Sequence, residues 1–472
     1  MRSSRWKVLS MAVSMTLAGA LLLSACGSGK SIQSPASEGV PTLEKEEQEQ
    51  KPEQKEPQKE ESSKIQKEEA KKEESGKSAE KEEQKEEMEE KETKTASGMV
   101  VPELTIAEKD LPSTEAMEFV RSMKVGWNLG NTLEAHNGTN PGNELSTETC
   151  WGNPKTTKEM IDAVKEAGFN TVRIPVTWFN HVQKNEDGSY IVSKEWLDRV
   201  QEVVDYAYDS GMYVILNTHH DVAADHGYYP DEAHYGQSEQ FLKSVWTAMA
   251  ERFQDYDEHL IMESLNEPRL TGTGYEWNFS EGAAECKESA ECINRLNQLF
   301  VDVVRSTGGN NAKRYLMVPG YAASPAGALS KQFVLPTDTA EGRLIVSIHA
   351  YIPYPFALQP LNENGATDRF NLKATVNPGE INRTFDQLYI RFVSKGIPVV
   401  VGEFGARNKN DNLQERVDYY AYYIAATRAR GISCCIWDNG IFGGDGEQFG
   451  LLKRESAQWI YPDIVEAIMK YA

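Results

Sequence analysis

From about Val100 to Ala472 the chain alternates short apolar runs with longer amphipathic stretches. The runs are Lys124–Leu129, Thr171–Val176, Tyr213–Thr218, Leu260–Leu265, Tyr315–Val318, Leu344–His349, Pro398–Gly402 and Ser433–Trp437. Each is the length of a strand and half are closed by Pro, Gly or Asn, which reads as a strand buried on both faces. Between them lie helix-period segments such as Thr157–Ala167, Lys194–Ser210 and Leu413–Arg430. Thr156-Thr-Lys-Glu159 has the pattern of a capping box at a helix start. Strand followed by helix, eight times, predicts an α/β fold of the (β/α)8 TIM-barrel type. An open doubly wound sheet is the alternative, but no Gly-rich phosphate turn follows the first strand.

The N-terminal part has a different pattern. Residues 43–95 hold 20 Glu and 13 Lys with almost no aliphatic or aromatic side chains. Such a segment cannot bury enough surface to offset chain entropy and is expected to be a solvated, disordered tether. Runs such as Lys81-Glu-Glu-Gln-Lys-Glu-Glu-Met-Glu-Glu90 set Glu and Lys four apart, which favours local helix. Roughly 70 residues of such chain would span about 45 Å as a coil and about 100 Å as a helix. Before the tether come Arg2, Arg5 and Lys7, an apolar stretch, and Leu23-Ser-Ala-Cys26. A charged start, a short apolar core and small residues at the cleavage point describe an export signal rather than a membrane span. The last four residues resemble a bacterial lipobox, which implies lipidation of Cys26. The expected division is residues 1–25 as signal peptide, 26–100 as linker and 101–472 as the barrel.

The formal charge of −22 argues against nucleic acid as a partner, because phosphate binding needs a basic face. Besides Cys26 there are five cysteines, an odd number that excludes complete pairing. Cys286 and Cys292 share one polar stretch and could close a loop. Cys434 and Cys435 lie in an apolar run and read as buried thiols.

Barrel chemistry sits at the C-terminal ends of the strands. Those ends carry Asn128 and Asn131, Arg173, His219 and His220, Asn266 and Glu267, Tyr321, His349 and Tyr351, Glu403, and Trp437. Nearly all can hydrogen-bond or stack on a sugar. A lone glutamate is usually a surface residue. Two of them, each held at a strand end in Asn266-Glu-Pro268 and Gly402-Glu-Phe-Gly405, supply the acid and the nucleophile that glycoside hydrolysis needs. His219-His-Asp221 could suggest a metal, but no further ligand appears at fitting spacing. Trp151, Trp178, Trp277 and Tyr321 could be sugar platforms or core aromatics, and sequence does not separate these.

The motifs Gly126-Trp-Asn-Leu-Gly-Asn131, Trp151-Gly-Asn-Pro154, Phe169-Asn-Thr-Val-Arg-Ile-Pro-Val176, His219-His-Asp221, Asn266-Glu-Pro268, His349-Ala-Tyr351, Gly402-Glu-Phe-Gly405 and Trp437-Asp-Asn-Gly440 together resemble glycoside hydrolase family 5, in its bacterial endoglucanase branch. The resemblance implies a retaining endo-β-1,4-glucanase with no cofactor and no metal. It makes Glu267 the general acid/base and Glu403 the nucleophile. Asn131, Arg173, His219, His220, Asn266, His349, Tyr351 and Trp437 become substrate-binding or orienting residues, with Trp437 the floor under the reacting glucose. His220 by itself reads more as a supporting histidine than as a sugar contact. Arg173 and Tyr351 are expected to stabilise the charged Glu403, and Glu267 is expected to have a raised pKa. A xyloglucanase, a mixed-linkage glucanase or a mannanase would use the same machinery, and a non-catalytic polysaccharide-binding lipoprotein is the alternative outside enzymes. The expected partner is a β-glucan, with membrane contact through the lipid alone, an extracellular location on the cell membrane, and a monomeric state.

Overall fold

The computed structural model describes residues 93–137, 145–374, 376–444 and 446–472. The signal segment, Cys26 and nearly all of the charged tether lie outside these residues. Among the described residues no helix is long and apolar enough to cross a membrane.

Eight parallel strands close into a barrel. They are β1 (Val125–Asn128), β2 (Thr171–Ile174), β3 (Tyr213–Asn217), β4 (Leu260–Glu263), β5 (Leu316–Pro319), β6 (Leu344–His349), β7 (Val399–Phe404) and β8 (Ser433–Ile436). Each expected run overlaps one of them, with β5 ending one residue past its run at Pro319 and β7 two residues past at Phe404. Neighbours in sequence are neighbours in the barrel, and β8 pairs with β1 to close it. The strands read as unbroken apolar runs because one face meets the surrounding helices and the other fills the barrel.

The principal helices are α1 (Glu115–Ser122), α2 (Lys158–Glu166), α3 (Lys194–Tyr208), α4 (Tyr235–Arg252), α5 (Ala284–Ser306), α6 (Pro325–Leu329), α7 (Val376–Arg391), α8 (Leu413–Arg428) and α9 (Pro462–Tyr471). Helix α1 precedes the barrel. Its Ala116, Phe119 and Val120 cluster with Ile215, Ile261, Met317, Ile345, Val400 and Cys435 from six strands. This is the apolar lower layer of the barrel interior, and α1 stops its N-terminal mouth. Gly126 belongs here too. A Cβ on it would meet Cys435 Sγ at 2.4 Å, so only glycine fits.

Two sequence expectations differ from the structure. Helix α2 starts at Lys158, with Thr157 at its N-cap and no side-chain capping bond. Thr156 is used elsewhere: its amide donates to Glu148 at 2.8 Å, and Glu148 pairs with the buried Arg199. Cys286 and Cys292 are free, both buried on α5. Six residues of α-helix separate two positions by about 9 Å along the axis, beyond the reach of a disulfide. Cys434 and Cys435 are buried thiols, as expected.

Candidate active site

Strand residues two apart point the same way, so the layer above Ile215, Ile261, Ile345 and Val400 is formed by Asn217, Glu263, Ser347 and Gly402. Asn128 and Arg173 join it from β1 and β2. The chemistry therefore changes from apolar to polar within one step along each strand.

Arg173 is fully buried at the centre of this layer. Its guanidinium lies 2.7 Å from Glu263 and 2.7 Å from Glu403, and it donates to Asn128 at 3.1 Å and Asn266 at 2.8 Å. Burial alone disfavours its charge, but the two carboxylates outweigh that and hold it protonated. Glu263 is bonded in turn by Asn217 Nδ2 at 3.1 Å and by the Ser347 hydroxyl. Asn128 Nδ2 donates to the carbonyls of Gly402 and Ile436, tying three strands together.

Glu403 reaches this centre through an irregularity in β7. The β6–β7 register shifts between Ile348 and His349, and the β7–β8 register shifts between Val401 and Phe404. A bulge re-aims one side chain, here the one following Gly402. A Cβ at Gly402 would lie 3.1 Å from His349 Nε2 and 3.4 Å from Arg173 Nε, so the bare backbone makes room for both. Tyr351 donates its hydroxyl to Glu403 Oε2 at 2.9 Å. Helix α8 braces the same segments. Tyr423 bonds the carbonyl of Ala350, Tyr419 that of Gly405, and the Ala406 amide donates to Tyr420.

The geometry fixes two histidine tautomers. Arg173 donates to His349 Nε2 at 3.3 Å, so that nitrogen is unprotonated and Nδ1–H donates to Glu267 Oε1 at 2.9 Å. Asn217 Oδ1 accepts from the Val176 amide, so its Nδ2 donates to His219 Nδ1 at 3.1 Å. His219 therefore carries its proton on Nε2, 3.9 Å from Glu403 Oε1. Burial and the charge of Arg173 keep His219 neutral, well below its ordinary pKa. Asn266 has its oxygen taken by Arg173, so it offers a substrate its Nδ2 donor.

Glu267 and Glu403 have carboxylate oxygens within 4.8 Å of each other, with His349 between them. Such a cluster also has the spacing of a cation site. Here the Arg173 guanidinium, bonded to both Glu403 and His349, already supplies the positive charge. Burial pushes the Glu267 carboxyl up, but the hydrogen bond from His349 and the charge of Arg269 outweigh it. Its pKa lies below the ordinary carboxylate value, the reverse of the sequence expectation. The strand motif could not show this, because His349 comes from β6 and Arg269 from the loop after β4.

The other expected residues divide into two groups. Trp437 lies beside the site with 8 % exposure, its ring parallel to His219 at 6.0 Å, and its amide donates to Phe404 at 2.8 Å. Asn131 sits on the rim after β1 in a left-handed conformation, with its carbonyl held by Asn153 and its amide by Glu134. His220 packs edge-on against His219 and lies among His136 and Trp151. Burial lowers its pKa to about 3, which makes it a neutral support. Asp221 turns away to accept the amides of Trp178 and Phe179, so the His-His-Asp run does not converge. Trp178 and Tyr321 are core residues, whereas Trp277 is exposed.

Sequence reasoning missed Glu263, Ser347 and Asn217. Glu263 carried a signal: a carboxylate inside the apolar run Leu260–Leu265, two residues after the inward Ile261, cannot stay charged unless it is paired.

A family model described as cellulase (glycosyl hydrolase family 5) matches residues 135–443. Endoglucanase A of Ruminococcus albus is 43% identical over 358 residues, covering 76% of this chain and 93% of that protein. The solved structure of a GH5 family lichenase from Caldicellulosiruptor sp. F32 is 53% identical with a TM-score of 0.77, covering 79% of this chain and 99% of that one. A GH5-4 broad specificity endoglucanase from Ruminococcus champanellensis, solved with bound cellotriose, is 44% identical with a TM-score of 0.69, covering 76% and 100%. With a closed (β/α)8 barrel and two carboxylates facing each other at its C-terminal mouth, this chain belongs to the cellulase family, glycosyl hydrolase family 5.

Proposed function

We propose that Glu403 is the nucleophile and Glu267 the general acid/base with which this retaining endo-β-1,4-glucanase cleaves internal bonds of cellulose and related β-glucans. The observation that carries the assignment is their spacing, with oxygens within 4.8 Å. Inverting enzymes hold their carboxyls about 6.5–9.5 Å apart to admit a water, whereas retaining ones need about 5–5.5 Å.

The surroundings suit each role. Glu403 accepts from Arg173 and Tyr351, which orient it to attack the anomeric carbon. Glu267 protonates the departing glycosidic oxygen. In the free enzyme its proton is held weakly; a bound glucan displaces water and strengthens both its burial and its repulsion from Glu403, which raises its proton affinity. Once Glu403 is esterified that repulsion disappears. Glu267 then loses proton affinity and takes a proton from the attacking water. Asn266 Nδ2 donates to the sugar 2-hydroxyl, a contact that strengthens in the transition state. Trp437 carries the reacting glucose.

The Leu23-Ser-Ala-Cys26 sequence and the charged segment behind it support an enzyme exported, lipidated at Cys26 and held off the membrane. Cys26→Ser should move the enzyme from the membrane fraction to the medium; unchanged fractionation refutes the anchor. For the substrate, residues from Val100 onward are to be incubated with carboxymethyl-cellulose, barley β-glucan, xyloglucan and mannan. A rapid viscosity fall on carboxymethyl-cellulose supports the endoglucanase reading. Turnover of mannan alone overturns it.

A further inference from the structure

We infer that Asp438, together with Arg454, is a positioning residue for the reaction: it locks the chain after β8 onto the loop after β1 and so aims the Trp437 ring at the reacting glucose. The inference rests on Trp437 as the platform for that sugar.

The need for a lock follows from the topology. Strands β1 and β8 are the first and last of the barrel, so no connecting helix and loop joins them, and hydrogen bonds alone close this seam. The paired register across it ends with Ile436 opposite Trp127. Trp437 is the next residue, and its amide is bound on the other side, to the Phe404 carbonyl of β7. Its placement against β1 therefore depends on what holds the chain just beyond the ladder.

Asp438 supplies that hold. It is fully buried, and its carboxylate accepts four N–H groups. Oδ1 takes the amides of Gly440 at 3.0 Å and Leu451 at 3.2 Å. Oδ2 takes the Leu452 amide at 2.9 Å and, across the seam, the Trp127 indole at 2.9 Å. Four donors fill the positions that a carboxylate offers, so Asp438 can reach the substrate only through its neighbours. Its carbonyl crosses the seam as well, accepting from the Gly130 amide at 3.1 Å and from Arg454 Nη2 at 2.6 Å. Arg454 Nη1 donates onward to the Thr132 hydroxyl. Arg454 follows the first strand of the hairpin of Leu452–Lys453 and Gln458–Trp459. That hairpin is fixed in turn, with Trp459 stacked on Phe169 at 5.6 Å and bonded to the Ala163 carbonyl of α2.

The Trp437 ring rests on the same anchor. A Cβ on Gly130 would lie 2.9 Å from Trp437 Cζ2, 3.0 Å from Cη2 and 2.8 Å from the Asp438 carbonyl oxygen. The Gly130 backbone thus touches the ring and is bonded to the residue that follows it. A shift of the Asp438 peptide carries the ring across this surface and away from the sugar. Catalysis is sensitive to such shifts, since a misplacement of about 1 Å can cost about 100-fold in rate.

The test is a double-mutant cycle read as kcat/KM on cellopentaose. Asp438→Asn keeps the shape but, whichever way the amide turns, sets an NH2 against two N–H donors. It should lower kcat/KM by about tenfold or more in the wild-type background. In Trp437→Ala it should cost less than about twofold further, because the ring it aims is gone. A similar fall in both backgrounds shows a role in the fold alone and overturns the inference, as does an unchanged rate in the wild-type background. If Asp438→Asn does not fold, Arg454→Met goes through the same cycle with the same expectations, and Arg454→Lys should restore most of the loss. Trp437→Ala alone tests the reading beneath. A near-normal rate in that variant refutes Trp437 as the platform, whatever Asp438 does.

Discussion

Ile261 and Glu263 lie two residues apart on β4, point into the same barrel, and live in different chemistries. Ile261 packs among Ile215, Met317, Ile345 and Val400 under the plug of α1. Glu263 is bonded to Arg173, Asn217 and Ser347 one step higher, equally buried. The lower layer is held by apolar burial and tolerates little change in volume. The upper layer is held by charge pairing, and each member is satisfied only while the others remain. Stability and reactivity are thus stacked along single strands, and the barrel's C-terminal mouth is where removing one partner exposes another to an uncompensated environment.

The largest effect should come from the top of the upper layer. Glu403→Gln keeps the shape and removes the attacking charge, so kcat should fall by about 10^4-fold or more with little change in melting temperature. A folded variant with near-normal turnover would sink the nucleophile assignment. The pair on β4 is the next contrast. Ile261→Ala should cost about 2–5 kcal/mol by leaving a cavity, with kcat at permissive temperature nearly unchanged. Glu263→Gln should cost about 3–5 kcal/mol, because Arg173 loses one of its two carboxylates, and should also lower kcat as Arg173 and Glu403 shift together. If both variants lost stability and kcat in the same proportion, the division into two layers would be wrong. Denaturant melts beside steady-state rates decide it.

Much of this was legible from sequence for definite reasons. Barrel strands are buried on both faces, so they appear as mainly apolar runs, and all eight runs overlap a strand. Their ends are less certain. Strand β7 continues past Gly402 to Phe404, and the irregularity that aims Glu403 has no periodic signature. His349, Tyr351 and Glu403 stand out as polar residues at or just past the ends of apolar runs, and Arg173 through the Phe169–Val176 motif that contains it. Glu263 did not, because it sits inside its run rather than at the end. Trp178, Tyr321 and Trp277 could not be separated, since exposure depends on which loops cover each ring. The electrostatics of Glu267 were the least legible, because they are set by side chains from other parts of the chain.

His349 offers the finest probe of the upper layer. Its Nδ1–H donates to Glu267 and stabilises the ionised form, against the opposing effect of burial. Removing a donor to a carboxylate raises that carboxyl's pKa. The alkaline limb of the kcat/KM profile reports the loss of the general acid's proton in the free enzyme. In His349→Ala, Glu267 keeps its proton to higher pH, so this limb should move upward even as the maximal rate falls. A downward or unchanged limb would mean that His349 does not set the acidity of Glu267. The measurement is a pH series of initial rates on one soluble β-glucan, compared between wild type and variant after each is scaled to its own maximum.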